Sequence, residues 1–189
     1  MLYFRMFFMM LVGLYTSRVI LRTLGVVDYG IYNVVGGVIA MFGFLTSSMG
    51  AACSRFITYD LGKGDNEALQ KTFGNILIIY LTLAIVILIL GETIGLWFVY
   101  HELKIPPDRF HAALWVYQFS ILSALVGIIS VPFNSVIIAH EHMSAFAYIS
   151  ILDVVLKLVI VYLLVVISYD KLIIYSILLF CIQCVDCII

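Results

Sequence analysis

Charge is scarce in this sequence: Asp, Glu, Lys and Arg supply 11% of its 189 residues, and the formal net charge is −1. That excludes the basic face through which a nucleic-acid-binding domain neutralises phosphates. Cysteine is also sparse, with Cys53 alone and Cys181, Cys184 and Cys187 inside an apolar run. Such an arrangement makes no disulfide framework, and the three-residue spacing offers neither a loop to wrap a metal nor a fourth ligand. The expected state is reduced thiol packed as a small hydrophobe. His140-Glu141-His142 lacks the four-residue spacing that puts two histidines on one helical face around zinc. Gly62-Lys63-Gly64-Asp65 lacks the second glycine followed by Lys-Ser/Thr of a phosphate-binding loop, and no Gly-x-Ser-x-Gly element occurs. No enzyme, cofactor or metal site is expected. Soluble domains, long linkers, low-complexity tracts and short repeats are missing as well.

What fills the sequence instead is apolar: 65% of residues are hydrophobic, and the mean hydropathy is +1.19. A soluble fold of this size buries about 70% of its unfolded-chain surface, so much of this apolar excess would face water. Lipid must be the solvent for it. At about 20 residues per crossing, six spans are expected, over Tyr3–Leu24, Tyr29–Ala52, Asn75–Val99, Ala112–Ala139, Ala145–Ser168 and Lys171–Ile189. The fold class is thus an all-α integral membrane bundle, a single domain over residues 1–189. Arg5 followed by an apolar stretch resembles a signal peptide, yet no small-residue cleavage site follows and Arg18 and Arg22 stand where one would fall. A retained first helix is expected.

The breaks between spans have local causes. Gly25 suits a left-handed helix end, and Asp28 suits capping of the next helix, which predicts a tight turn. Arg55 to Asp60 reads as a helical extension out of the membrane, closed by Gly62, before a new polar turn begins at Asp65. Pro106-Pro107 lies in a loop bracketed by Trp97 and Trp115, which suit the headgroup layer. With the N-terminus inside, Arg5, Arg55, Lys63 and Lys71 face Arg22, Lys104, Arg109 and Lys171 across the membrane, so the positive-inside comparison is a tie.

Polar residues at membrane depth are costly and usually face a protein interior or aqueous cavity. Arg18 and Arg22 share one face of the first helix, with Tyr15 a turn below. Arg22 is close enough to the helix end to snorkel; Arg18 is about 9 Å deeper than Leu24, which points to a cavity. Asp153 and Lys157 form an acid-then-base pair four apart, either neutralising each other or sharing a polar cavity. Glu92 is a lone acid, suited to a coupling proton or cation or to cavity lining. Gly36, Ala40, Gly43, Ser47, Gly50 and Ser54 make a stripe of small residues that permits close helix packing, so Gly43→Leu is expected to disrupt it. Pro132 and Asn134 imply a kink in the fourth span.

Three strings, LYTSRVILRTLGVVDYGIYNVV, RFITYDLGKGD and IIAHEHMSAFAYISILDVVLKL, resemble the N-terminal half of Wzx-type polysaccharide flippases of the multidrug/oligosaccharidyl-lipid/polysaccharide exporter superfamily. The resemblance implies a lobe of about six helices from a two-lobe, multi-pass transporter of the bacterial inner membrane. It implies an undecaprenyl-pyrophosphate-linked oligosaccharide as substrate, moved for lipopolysaccharide or other cell-surface polysaccharide biosynthesis. Arg18 and Arg55 match basic positions in these strings and become the expected substrate contacts. The family's cavity lies between lobes, so the expected partner is a C-terminal lobe or another half-transporter. Other readings are a drug or cation exporter of the same superfamily, for which Glu92 or Asp153 would be the coupling site, a membrane-embedded polysaccharide polymerase, and a noncatalytic membrane partner.

Overall fold

The computed structural model describes residues 2–188 apart from 42, 65, 102, 104, 107, 108, 141, 142 and 167–169; side chains at 2–5, 8, 38–40, 44–46, 66, 143–146, 166 and 188 are not described. Among the described residues every regular element is helical: α1 (Leu2–Ala40), α2 (Gly43–Lys63), α3 (Asn66–Leu90), α4 (Leu96–His101), α5 (Phe110–Ala139), α6 (Met143–Val166) and α7 (Lys171–Ile188). A π-helical turn, Gly91–Gly95, joins α3 to α4 without a break. Four stretches are long and apolar enough to cross a membrane: Met9–Gly37, Glu67–His101, Phe110–Ala139 and Ala147–Val165. The protein is an all-α membrane protein.

Helix α1 is two arms rather than one rod. Gly25 has φ 83° and ψ 169°, a conformation closed to other residues, and the chain turns there. Thr16, Ser17 and Ile20 of the first arm line the same cavity as Tyr29 and Tyr32 of the second, so the arms lie side by side. The expected tight turn is present, but Asp28 does more than end it: its carboxylate is buried and faces Arg109 Nε at 3.5 Å. The second expected span, Tyr29–Ala52, is divided between α1, which ends at Ala40, and α2, which begins at Gly43, with Met41 in a turn. The last, α7, is shorter than the four crossing stretches.

One further boundary differs from expectation. The extension through Arg55 to Asp60 is helical, but Gly62 stays inside α2 and the left-handed residue that ends it is Gly64, with φ 71°. Thr72 then donates to Asp60 Oδ2 at 2.6 Å, which holds the start of α3 against the end of α2. Helix α5 remains one helix through buried Pro132.

Three apolar clusters hold the bundle. Ile31 and Val35 pack with Val99, Val116, Tyr117 and Leu172; Ile57, Ile76 and Tyr80 pack with Ile128 and Ala139; and Ile20 packs with Val161, Leu164 and Tyr175. Helix α5 packs against α1, α2, α3, α6 and α7 and is the hub. At one end Arg109, the residue before α5, also bonds Asp170 Oδ1 at 2.6 Å, just ahead of α7. One guanidinium therefore joins the Gly25 turn, the Pro106 loop and the α6–α7 connection, which places all three at the same rim.

Candidate functional site

Arg18 and Arg22 are exposed on the first arm of α1. Thr16, Ser17 and Ile20 face inward, and the 100° advance per residue turns Arg18 away from them. Neither arginine makes an ion pair or hydrogen bond with a described residue, although both lie in an apolar crossing stretch. The same arm leaves Met10, Leu11, Leu14 and Leu21 exposed. It is thus a largely apolar face interrupted by two cations, and no described residue covers it. Tyr15, a turn from Arg18, meets Tyr162 of α6 through its hydroxyl at 3.2 Å. Arg55 is exposed on α2, where the helix leads into the α2–α3 connection. No described bond connects Arg55 with Arg18.

On α6 the acid–base pair is closed, half exposed: Lys157 Nζ donates to Asp153 Oδ2 at 2.8 Å. A third member comes from α7. Asp186 lies within hydrogen-bonding reach of Asp153, and its buried Oδ1 has no hydrogen-bond partner. Asp186 lines a cavity of about 580 Å³ with Gln70, Asn134 and His140, whereas Lys157 lines a second cavity, of about 290 Å³, with Tyr29, Tyr32 and Tyr175. Two carboxylates and one ammonium give the cluster a formal charge of −1, so one further proton or cation would neutralise it. Asp186 is not among the acids expected from the sequence to carry chemistry. Its signal was available in the rule applied to Glu92, that an acid inside an apolar run needs an explanation.

Glu92 sits in the π-helical turn, exposed, and accepts from Gln118 Nε2 at 3.3 Å. The turn is held from outside: Tyr117 donates its hydroxyl to Gly91 O at 2.6 Å. A Cβ at Gly95 would collide with that hydroxyl, and one at Gly91 would stand 3.2 Å from Ile121 Cδ1. The two glycines of Gly91-Glu92-Thr93-Ile94-Gly95 thus admit α5 to the backbone of a widened turn. Glu92 is not part of the Asp153 cluster; no bond joins them.

The small-residue stripe does not have the expected contacts. A Cβ at Gly36 or Gly43 would meet no heavy atom within 4 Å, Ser47 is exposed, and the Ala40 side chain lies outside the described residues. Only at Gly50, where Val131 Cγ1 would be 3.2 Å away, does a neighbour approach closely. Beside Gly36 and Gly43 there is room for a side chain, and Val35 and Ile57 are the residues of these helices that enter the apolar clusters. Glu141 and His142 of the dismissed histidine motif fall outside the described residues.

Searches among curated proteins and among solved structures returned no match. A protein-family model does match: the MatE model aligns with residues 2–163, which takes in both arms of α1 and nearly all of α6. Members of that family are membrane transporters rather than enzymes. With that match over most of its length, and an all-helical apolar bundle, the chain belongs to the MatE family, of the multidrug/oligosaccharidyl-lipid/polysaccharide exporter superfamily.

Proposed function

We propose that the protein acts in moving lipid-linked oligosaccharides across the bacterial inner membrane, as the N-terminal lobe of a polysaccharide flippase. The observation that carries this reading is the uncovered arginine face of α1. A guanidinium without a carboxylate partner is expensive inside an apolar crossing stretch, and an aqueous cavity with an anionic visitor would offset that cost at Arg18. A pyrophosphate-linked sugar is an amphipathic anion, and arginine grips phosphate through two parallel hydrogen bonds. Arg55, at the end that leads into the α2–α3 connection, suits first contact with the headgroup, and Arg22 suits the far side of the crossing. A second lobe facing α1 would complete the cavity and supply the surface against which this lobe rocks.

A cation-coupled drug exporter is the second reading, favoured by the net negative Asp153–Lys157–Asp186 cluster between two cavities. The test is deletion of the gene followed by lipid analysis. Undecaprenyl-pyrophosphate-linked oligosaccharide accumulating in the cytoplasmic leaflet, with unchanged drug sensitivity, supports the flippase. Drug hypersensitivity without lipid accumulation supports the exporter.

A further inference from the structure

Between the second arm of α1, α5 and α7 lies a recess of about 300 Å³ whose lining differs from the rest of the bundle. Ser120 and Ser123 of α5 and Ser176 and Gln183 of α7 line it together with the aromatic rings of Tyr32 and Phe119. Ser176 donates to Ile173 O at 2.7 Å, but the Ser120 and Ser123 hydroxyls and the Gln183 carboxamide have no hydrogen-bond partner among the described residues. No acid or base lines the recess. Its lining begins at Tyr32, Phe119 and Ser176, about one to three helical turns from the rim residues Asp28, Arg109 and Asp170, and runs deeper to Gly36, Gly127 and Gln183, so it lies within the roughly 30 Å hydrocarbon thickness. Lipid tails cannot satisfy hydroxyls and amides there, and each polar group left unpaired is costly.

The space is made by glycine. A Cβ at Gly36 would meet nothing within 4 Å, and one at Gly127 would approach Gln183 Nε2 at 3.7 Å. Gly36 thus opens a recess where a close helix contact was expected.

We propose that this recess binds one uncharged, polyhydroxylated ring, a single sugar residue of the transported headgroup. The chemistry of the lining excludes the alternatives in turn. A phosphate or carboxylate would find no cation, a metal ion or ammonium would find no carboxylate, and an alkyl chain would leave the serines and Gln183 unpaired. A sugar ring instead offers hydroxyls to Ser120, Ser123 and Gln183 and an apolar C–H face to Tyr32 and Phe119. The volume lies at the small end of ligand pockets, which suits one ring rather than a chain of them. The Tyr32–Tyr175 pair, with ring centroids 5.0 Å apart, separates the recess from the cavity that holds Lys157. The sugar therefore binds apart from the acid–base cluster. The assignment rests on the flippase reading for the identity of its ligand.

The protein carries its own reporter. Only two tryptophans are present, and Trp115 stacks on Phe119 with centroids 5.9 Å apart. In a Trp97→Phe background in lipid nanodiscs, methyl glucoside and the methyl glycoside of N-acetylglucosamine are titrated against Trp115 emission, with glycerol as the control. The expected result is a saturable change for at least one glycoside, with a Kd on the order of millimolar. Gly36→Leu, which grows into open space without a backbone clash, should abolish it while leaving the thermal melt intact. Gln183→Leu should weaken it by about tenfold, the equivalent of one lost hydrogen bond. No saturable response to either glycoside, or a response equal in Gly36→Leu, overturns the proposal; a melt that rises in Gly36→Leu with no glycoside response means that the recess holds only water. Saturable binding in a protein whose deletion accumulates no lipid-linked oligosaccharide keeps the recess and rejects the flippase reading. Accumulation without binding does the reverse.

Discussion

Helix α5 and the first arm of α1 are both apolar crossing segments, yet they are used in opposite ways. Helix α5 touches five other helices and buries residues along its whole length, from Ala112 to Ala139. The first α1 arm packs through Ile20 and leaves Met10, Leu14, Arg18 and Arg22 uncovered. A lobe that moves as a rigid body needs one helix of the first kind, and a lobe that works against something else needs one of the second. The difference separates a covered helix that holds the bundle together from an uncovered one, to which the proposed function gives the substrate contact.

The sharpest way to break that division is at Arg18. In the intact transporter Arg18→Ala should abolish delivery of lipid-linked sugar to the periplasmic leaflet, and Arg18→Lys should retain part of it. A lysine keeps the charge but loses the planar fork. The detergent melt of both variants should match the parent. Parental export by a normally inserted Ala variant would show that Arg18 only snorkels, and a lowered melt would show that the α1 face is structural.

On the α5 side, the largest loss of stability is expected at Arg109. Replacing it with alanine leaves Asp28 buried without its counter-charge, and breaking such a pair from one side costs about 3 kcal/mol. Asp170→Asn removes only the exposed half of the clamp and should cost less than about 1 kcal/mol. Equal melts for the two variants would mean that the Asp28 contact contributes nothing. Next comes Gly95→Ala, which drives a methyl group into the Tyr117 hydroxyl. Overpacking of that kind costs about 2 kcal/mol, and Tyr117→Phe in the same background should relieve the clash at the price of one hydrogen bond. A Gly95→Ala protein that melts like the parent would show that the widened turn has room to spare.

The sequence carried the outline of this fold because its determinants are local. Apolar runs mark crossing helices, Gly25 marks the reversal, and Trp97 and Trp115, both exposed, mark the end nearest the Pro106 loop. What it did not carry is who covers whom. Asp153 and Lys157 are legible as a pair because helical spacing sets them four residues apart, whereas Asp186 joins them only when α7 packs on α6. Arg109 reads as a loop charge until three connections meet at one rim. The widened turn at Gly91–Gly95 is hidden for the same reason, since Tyr117, which holds it, is supplied by another helix.

The small-residue stripe shows that limit from the other direction, and it supplies the smallest expected effect. Its spacing assumes one continuous helix, whereas Gly36 belongs to α1 and Gly43 and Gly50 to α2, and spacing cannot say whether another helix lies against them. At Gly50 one does, through Val131; at Gly43 an added Cβ meets nothing within 4 Å. Gly43→Ala should therefore leave the detergent melt unchanged or raise it slightly, since alanine is up to about 1 kcal/mol the better helix former. Gly50→Ala must displace the Val131 methyl by a few tenths of an ångström and should sit below Gly43→Ala in the same assay. The two substitutions add the same methyl group to the same helix, and because the propensity gain is larger at the interior position Gly50 than at Gly43, the first residue of α2, a lower melt at Gly50 reads the covering helix. If Gly43→Ala lowers the melt as much as Gly50→Ala does, the stripe is covered along its length and α2 belongs with α5 rather than with the open arm of α1.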